Sequence, residues 1–238
     1  MFDRIKSTLQ KNEIFRIVFV GDSLTSAEWV HPNWREIVEY ALKETFTDVM
    51  SDWKASSWNI RTINSGMDGA TTRDIRERLE HYVFQYNPQL VMLMIGGNDK
   101  YFLKRTETKD NLKSIIDSIA SRNTAVTLST DPALENKEHD QKDEDLREIV
   151  RSLKDEVDVF IDLHSEMKNL PLGQFYTFVC QTGNEDAGIK PGGKDFLHPN
   201  TKGNAYMAQV FLKSVFGIAF DPEKYLQEVS EGVMFPDF

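Results

Sequence analysis

Cysteine is nearly missing from this chain of 238 residues. The single one, Cys180, has no partner within the chain, so an intramolecular disulfide framework is excluded and a reducing compartment suits the composition. Its setting, Phe178-Val179-Cys180-Gln181, predicts a packed small hydrophobe more readily than a nucleophile. Long apolar runs are also missing: no stretch approaches the roughly 18 residues of a membrane span. Met1 to Phe15 lacks the apolar centre of a signal peptide, and its Phe2, Ile5 and Leu9 predict a short amphipathic helix instead, so the expected location is cytoplasmic. Positive charge is in deficit. Lys and Arg number 28 against 38 Asp and Glu, a net charge of −10, which argues against a nucleic-acid footprint and against attraction to an anionic membrane. No repeat and no Pro/Gly/Ser-rich linker divides the chain. A single domain over residues 1–238 is therefore expected, with the N-terminal helix inside 1–15 and a tail over 217–238 that packs on the body or mediates self-association.

What is present is a series of short apolar runs ending in polar punctuation. Ile17-Val18-Phe19-Val20 runs straight into Gly21-Asp22-Ser23, which reads as a strand buried on both faces and then a sharp turn that glycine tolerates. Trp58 to Ile63 alternates and predicts a second strand; Leu90 to Ile95 is apolar throughout and predicts a third. Thr124–Ser129 and Val157–Ile161 supply a fourth and fifth. Between them, helical spacing links Trp34 to Phe46, Ile75 to Val83 (with Thr72 as N-cap), Leu112 to Ile119 and Leu146 to Leu153; Ala205 to Leu212 marks a last helix. Asp48–Ser57 and the charged Pro132–Asp143 read as loops, and Leu163–Ile189 as an irregular segment that is either a lid or a covering loop. Five strands alternating with helices predict a doubly wound parallel α/β sheet, with a flavodoxin-like strand order expected.

Parallel strands share one carboxyl edge, where such folds place their ligands. The clusters Gly21-Asp22-Ser23, Asn64 to Thr71 and Gly97-Asn98-Asp99 each follow a strand and should meet there; Asp195 to His198 precedes the last helix and can fold over the same edge. Ser23 alone is equally readable as a nucleophile or as part of a helix cap. A serine hydroxyl needs a base to become a nucleophile. Among His31, His81, His139, His164 and His198, the last is the best base: Pro199 keeps it off a helix, on an exposed loop, and Asp195 can reach back to its Nδ1–H. His164 is the main competitor, and His31 is near enough to Ser23 to line a pocket. Acyl transfer also needs donors for a developing oxyanion, and the Ser23 N–H, the Gly69 N–H and the Asn98 amide are the candidates. Asp22, Trp29, Tyr101 and Phe102, with Trp34, are candidate pocket residues or core.

These four clusters, in this order, resemble the SGNH, or GDSL, hydrolase family: Gly21-Asp22-Ser23-Leu24, then Asn64-x-Gly66-x-x-Gly69-x-Thr71, then Gly96-Gly97-Asn98-Asp99, then Asp195-x-x-His198. The resemblance spans about Arg16 to Phe216. It implies a flavodoxin-like three-layer α/β/α sandwich with a five-stranded parallel sheet, Ser23 as nucleophile, His198 as base, Asp195 as its orienter, and Ser23, Gly69 and Asn98 as the oxyanion hole. It implies a metal-independent, cofactor-free serine esterase acting on a small-molecule ester. Members act on lipids, short esters, thioesters and acetylated sugars; an O-acetylated carbohydrate is the favoured expectation here, with a lipase- or thioesterase-type acyl hydrolase as the alternative. The Gly-x-Ser-x-Gly elbow of α/β-hydrolases is absent. Two competing classes stay open: a non-catalytic binding module on the same fold, and a metal phosphoesterase using Asp22, Asp99 and Asp195 as ligands.

Overall fold

A computed structural model describes residues 1–26, 28–51 and 57–238. In chain order the elements are α1 (Phe2–Gln10), β1 (Phe15–Gly21), α2 (Ser23–Ser26), α3 (Trp34–Met50), β2 (Ile60–Gly66), α4 (Thr72–Tyr82), β3 (Leu90–Met94), α5 (Asp99–Phe102), α6 (Arg105–Ala120), β4 (Ala125–Ser129), α7 (Lys137–Lys142), α8 (Glu144–Arg151), β5 (Val159–Ile161), α9 (Leu163–Met167), β6 (Val179–Cys180), β7 (Gly193–Lys194), α10 (Thr201–Phe211) and α11 (Pro222–Ser230). The first five strands form one wholly parallel sheet in the order β2-β1-β3-β4-β5. That is the flavodoxin-like order, and the molecule is an α/β/α sandwich.

The apolar runs of β1 and β3 are explained by burial on both sides. Phe15, Ile17 and Phe19 face a core shared with α1, α3, α9 and α10, whereas Val18 and Val20 face one shared with α4, α6 and α8. Such a strand cannot alternate apolar with polar, because each face meets a helix layer. The order places β1 between β2 and β3, so Ser23 leaves the sheet near its middle.

Several expectations shift. Thr71, not Thr72, is the N-cap of α4: its side chain accepts from the Asp74 N–H and Asp74 bonds back, a reciprocal capping box. Helix α3 runs on through Asp48 to Met50, so part of the expected loop is helical; residues 52–56 of that loop lie outside the described residues. The second strand starts at Ile60 because Ser57–Asn59 forms a 3₁₀ turn. The loop expected from Pro132 to Asp143 contains α7, capped by Asn136. No residue of α7 is buried, so it carried no apolar stripe to read. The tail contains α11, capped by Asp221 with Pro222 in its first turn. It docks on the body: Tyr40 Oη donates to the Pro236 carbonyl at 2.8 Å, and the Phe238 ring stacks on Phe220. Cys180 is half-buried in the β6–β7 ribbon, not packed in a core, because a two-residue edge strand has no layer to cover it. No helix among the described residues is long and apolar enough to cross a membrane.

Candidate active site

Three turns at the carboxyl edge position the groups. Gly21 lies within β1 and has no left-handed backbone; it is needed for close approach, since a Cβ there would stand 2.5 Å from the Met94 carbonyl oxygen of β3. The Asp22 side chain accepts the Leu24 N–H at 3.1 Å, and its carbonyl accepts those of Thr25 and Ser26 at 3.0 Å. Asp22 therefore caps α2, so the cap reading holds locally while Ser23 begins a single helical turn at the strand exit. Asn64 clamps the next loop: its amide donates to the Ser26 carbonyl at 2.8 Å and its oxygen accepts the Gly66 N–H at 2.9 Å. Gly69 adopts φ +71°, a left-handed conformation that glycine takes without strain. Asn98 donates to the Ala70 carbonyl at 3.0 Å, tying the β3 exit to the Gly69 loop. The Ser23 and Gly69 N–H groups have no acceptor among the described residues.

Ser23 Oγ lies 3.0 Å from His198 Nε2, and His198 Nδ1 lies 2.8 Å from Asp195 Oδ2. The other Asp195 oxygen accepts the Leu197 and His198 N–H groups at 2.8 and 3.1 Å. Burial opposes ionisation of Asp195, but the His198 hydrogen bond and charge and these two backbone donors outweigh it and hold the carboxyl below its usual range. An ionised Asp195 favours the tautomer with hydrogen on Nδ1, leaving Nε2 free to accept from Ser23. His198 is on a loop but is buried, not exposed, because Trp29 covers it. The indole stacks on the imidazole with centroids 4.2 Å apart and planes 10° from parallel, and its Nε1–H is held by Asp68 Oδ1 at 3.0 Å.

A cavity of about 260 Å³ opens over Ser23, Gly69, Asn98 and His198, and Asp22, Trp29, Tyr101 and Phe102 all line it. Trp34 does not: it is core, stacked on Phe211 with its N–H bonded to the Leu24 carbonyl. His31 is exposed beside Glu36, and His164 is buried against Asp140 at 3.0 Å; neither lines the cavity. Asp99 turns away into the start of α4, where it accepts the Thr72 N–H at 2.8 Å. Among the described residues no group of three or more His, Cys, Asp or Glu side chains could hold a metal ion.

The cavity also contains groups that the sequence reading passed over. Asp131 follows the end of β4, the position logic that singled out Ser23 and Asn98, and this signal was available. Asp68, Lys100, Asp143, Asn184 and Asp186 complete the polar lining. Lys100 pairs with Asp143 at 2.6 Å. Burial, then the charge of Asp131, raises the Asp22 carboxyl far above its ordinary range; burial, then Asp143, raises Asp131.

The model of the GDSL-like lipase/acylhydrolase family matches residues 19–206. This chain belongs to that family. It is a carboxylic ester hydrolase. Among curated proteins, the esterase is 23% identical over 217 residues to an acetylxylan esterase of Geobacillus stearothermophilus, covering 84% of this chain and 93% of that one. A crystal structure of an acetylxylan esterase from the same organism superposes with a TM-score of 0.66 at 20% identity, covering 87% and 95% of the two chains. A GDSL-like lipase described as putative, from Parabacteroides merdae, gives 0.66 at 17% identity over 86% and 96%. These superpositions speak for the fold of the esterase. Alanine variants of the Geobacillus protein at a serine, an aspartate and a histidine three residues beyond that aspartate are described as catalytic mutants of that protein.

Proposed function

We propose that the esterase removes small acyl groups, acetyl foremost, from a carbohydrate through an acyl-enzyme on Ser23. The observation that carries this reading is the unbroken chain Ser23–His198–Asp195, at 3.0 and 2.8 Å, on the wall of the cavity. His198 Nε2 takes the hydroxyl proton as Ser23 Oγ bonds to the ester carbonyl carbon. The oxyanion that forms is met by the Ser23 and Gly69 N–H groups and the Asn98 amide, donors fixed before the reaction begins. His198 then gives its proton to the departing alcohol, and a water activated by the same imidazole releases the acid. Asp195 keeps the ring oriented and offsets its positive charge.

Two observations favour a small, polar ester over a long-chain lipid. The cavity, about 260 Å³, lies just below the roughly 300–1,000 Å³ typical of sites for drug-sized ligands. Its lining carries Asp22, Asp68, Asp131, Asp143 and Asp186, which suits hydroxyl groups and not an alkyl chain. The acetylxylan esterases among its relatives point the same way. Treatment of the protein with a serine-directed phosphonate should label Ser23 and abolish hydrolysis of 4-nitrophenyl acetate. Ser23→Ala should lower kcat by about 10³-fold or more with the fold intact. Unlabelled Ser23, or near-wild-type turnover by the variant, would overturn the mechanism and favour a binding module.

A further inference from the structure

Asp22 and Asp131 are acids that the proposed chemistry does not use. Asp22 is only 3% exposed, and one of its oxygens is satisfied by the Leu24 N–H. Neither its Oδ2 nor the Asp131 carboxylate is matched by a hydrogen-bond donor among the described residues, and both residues line the cavity. The two converge over Gly97: a Cβ built there would lie 2.8 Å from Asp131 Oδ2 and 3.5 Å from Asp22 Oδ2. Gly97 thus keeps open the place where the two carboxyl oxygens approach each other. The nearby cation, Lys100, is already engaged by Asp143 at 2.6 Å.

Asp22 is buried and Asp131 half-buried, and a carboxyl largely withdrawn from bulk water is costly unless something pairs with it. The charges of Lys100 and Arg147 offset that cost only in part at Asp131, and no donor among the described residues bonds Asp22 Oδ2 or Asp131, which points to a partner that arrives with the substrate. A ligand hydroxyl is the group that fits. It can donate to a carboxylate and accept from a carboxylic acid, so it serves these two acids in either state. A carboxylate or phosphate on the ligand would instead meet Asp22, Asp68, Asp131, Asp143 and Asp186 around one cavity.

We infer that Asp22 and Asp131 form a hydroxyl-binding wall for the alcohol part of the ester, with Asp131 the specificity-determining residue. This deepens the esterase reading and rests on it. The wall runs from the strand exit beside the nucleophile to the exit of β4, so a ring whose acyl oxygen is at Ser23 presents its neighbouring hydroxyls to it.

The test uses the whole protein. In wild type, methyl β-xyloside should inhibit 4-nitrophenyl acetate hydrolysis at least tenfold more tightly than 2-methoxytetrahydropyran, a comparable ring with no hydroxyl groups. Equal inhibition overturns the inference. Asp131→Asn should lower kcat/KM for an acetylated methyl xyloside roughly ten- to hundredfold more than for 4-nitrophenyl acetate, the range a charge-assisted hydrogen bond supplies. Equal losses on both esters would make Asp131 merely structural and overturn the inference, as would no loss on either. Should the variant fail to fold, the wild-type inhibitor comparison decides alone. Activity surviving in Ser23→Ala would sink the esterase mechanism but not the wall, which is then judged by calorimetric binding of methyl xyloside against the hydroxyl-free ring.

Discussion

Replacing Trp29 tests whether the indole lying flat on His198 contributes to turnover. The rings are 4.2 Å apart and 10° from parallel, and in the proposed mechanism His198 carries a proton during each half-reaction. A stacked aromatic pair contributes about 0.5–1.5 kcal/mol beyond its buried area. A desolvated cation over an indole face contributes about 2 kcal/mol. Trp29 is 45% exposed, so the lower part of that range applies, and about 1–2 kcal/mol corresponds to a roughly 5- to 30-fold fall in kcat for Trp29→Leu. Trp29→Phe keeps a face over the imidazole but loses the Nε1–H bond to Asp68 at 3.0 Å, and should fall only a few-fold. Asp68→Ala should cost about as much as the Phe variant and little more when combined with it, because both remove the same tether. The assay is steady-state hydrolysis of 4-nitrophenyl acetate at one fixed pH for all variants. A Leu variant within twofold of wild type would refute the reasoning, since the indole would then be a bystander.

Two further outcomes follow from packing and charge. Gly66→Ala would bring a methyl to 2.6 Å from the Thr25 carbonyl carbon and press it on the Ser26 nitrogen, both main-chain atoms that cannot swing aside. A cost of about 1–3 kcal/mol should lower Tm by about 3–10 °C by calorimetry, and an unchanged Tm would contradict the contact. The second concerns pH. Asp22 and Asp131 have folded pKa values raised above the ordinary carboxyl value, so their contribution to stability is complete below about pH 4 and is withdrawn as pH rises through the folded values. Urea unfolding at pH 6 and pH 9 should therefore show wild type losing stability relative to Asp131→Asn as the pH rises, and a constant difference would refute it.

The sheet was legible because burial on both faces leaves one kind of trace: the runs Ile17–Val20 and Leu90–Ile95 have no room for polar residues. The juxtaposition of Ser23, Asn98 and the Gly69 loop followed from parallel topology alone. That of His198 needed the family resemblance as well, since nothing in its local spacing says which way its loop folds. Helix α7 buries nothing and leaves no periodic trace, whereas α11 spaces Tyr225, Leu226 and Val229 helically but begins with a proline that reads as punctuation. Trp34 and Trp29 look alike in the sequence, five residues apart, yet one fills the core and the other covers the imidazole. Helical spacing separates them: Trp34 starts the buried stripe of α3, and Trp29 lies in the loop before it. Asp131 was missed because a lone aspartate before a proline has the appearance of a turn.

The segment bearing Asp195 and His198 is laced to the rest of the molecule at both ends. The Asp195 N–H donates to the Phe178 carbonyl at 2.9 Å, the ribbon pairs Val179 with Lys194, and Asn200 fastens to Phe175, Gln174 and Thr177. Asp195 and His198 thus ride on one small appliqué stitched over the sheet, while Ser23 is woven into the cloth. In the proposed mechanism, giving way of the stitches would carry off proton acceptor and orienting carboxylate together and leave the α/β body with an inert hydroxyl. Loss of activity and loss of the fold would then be separate events in this molecule.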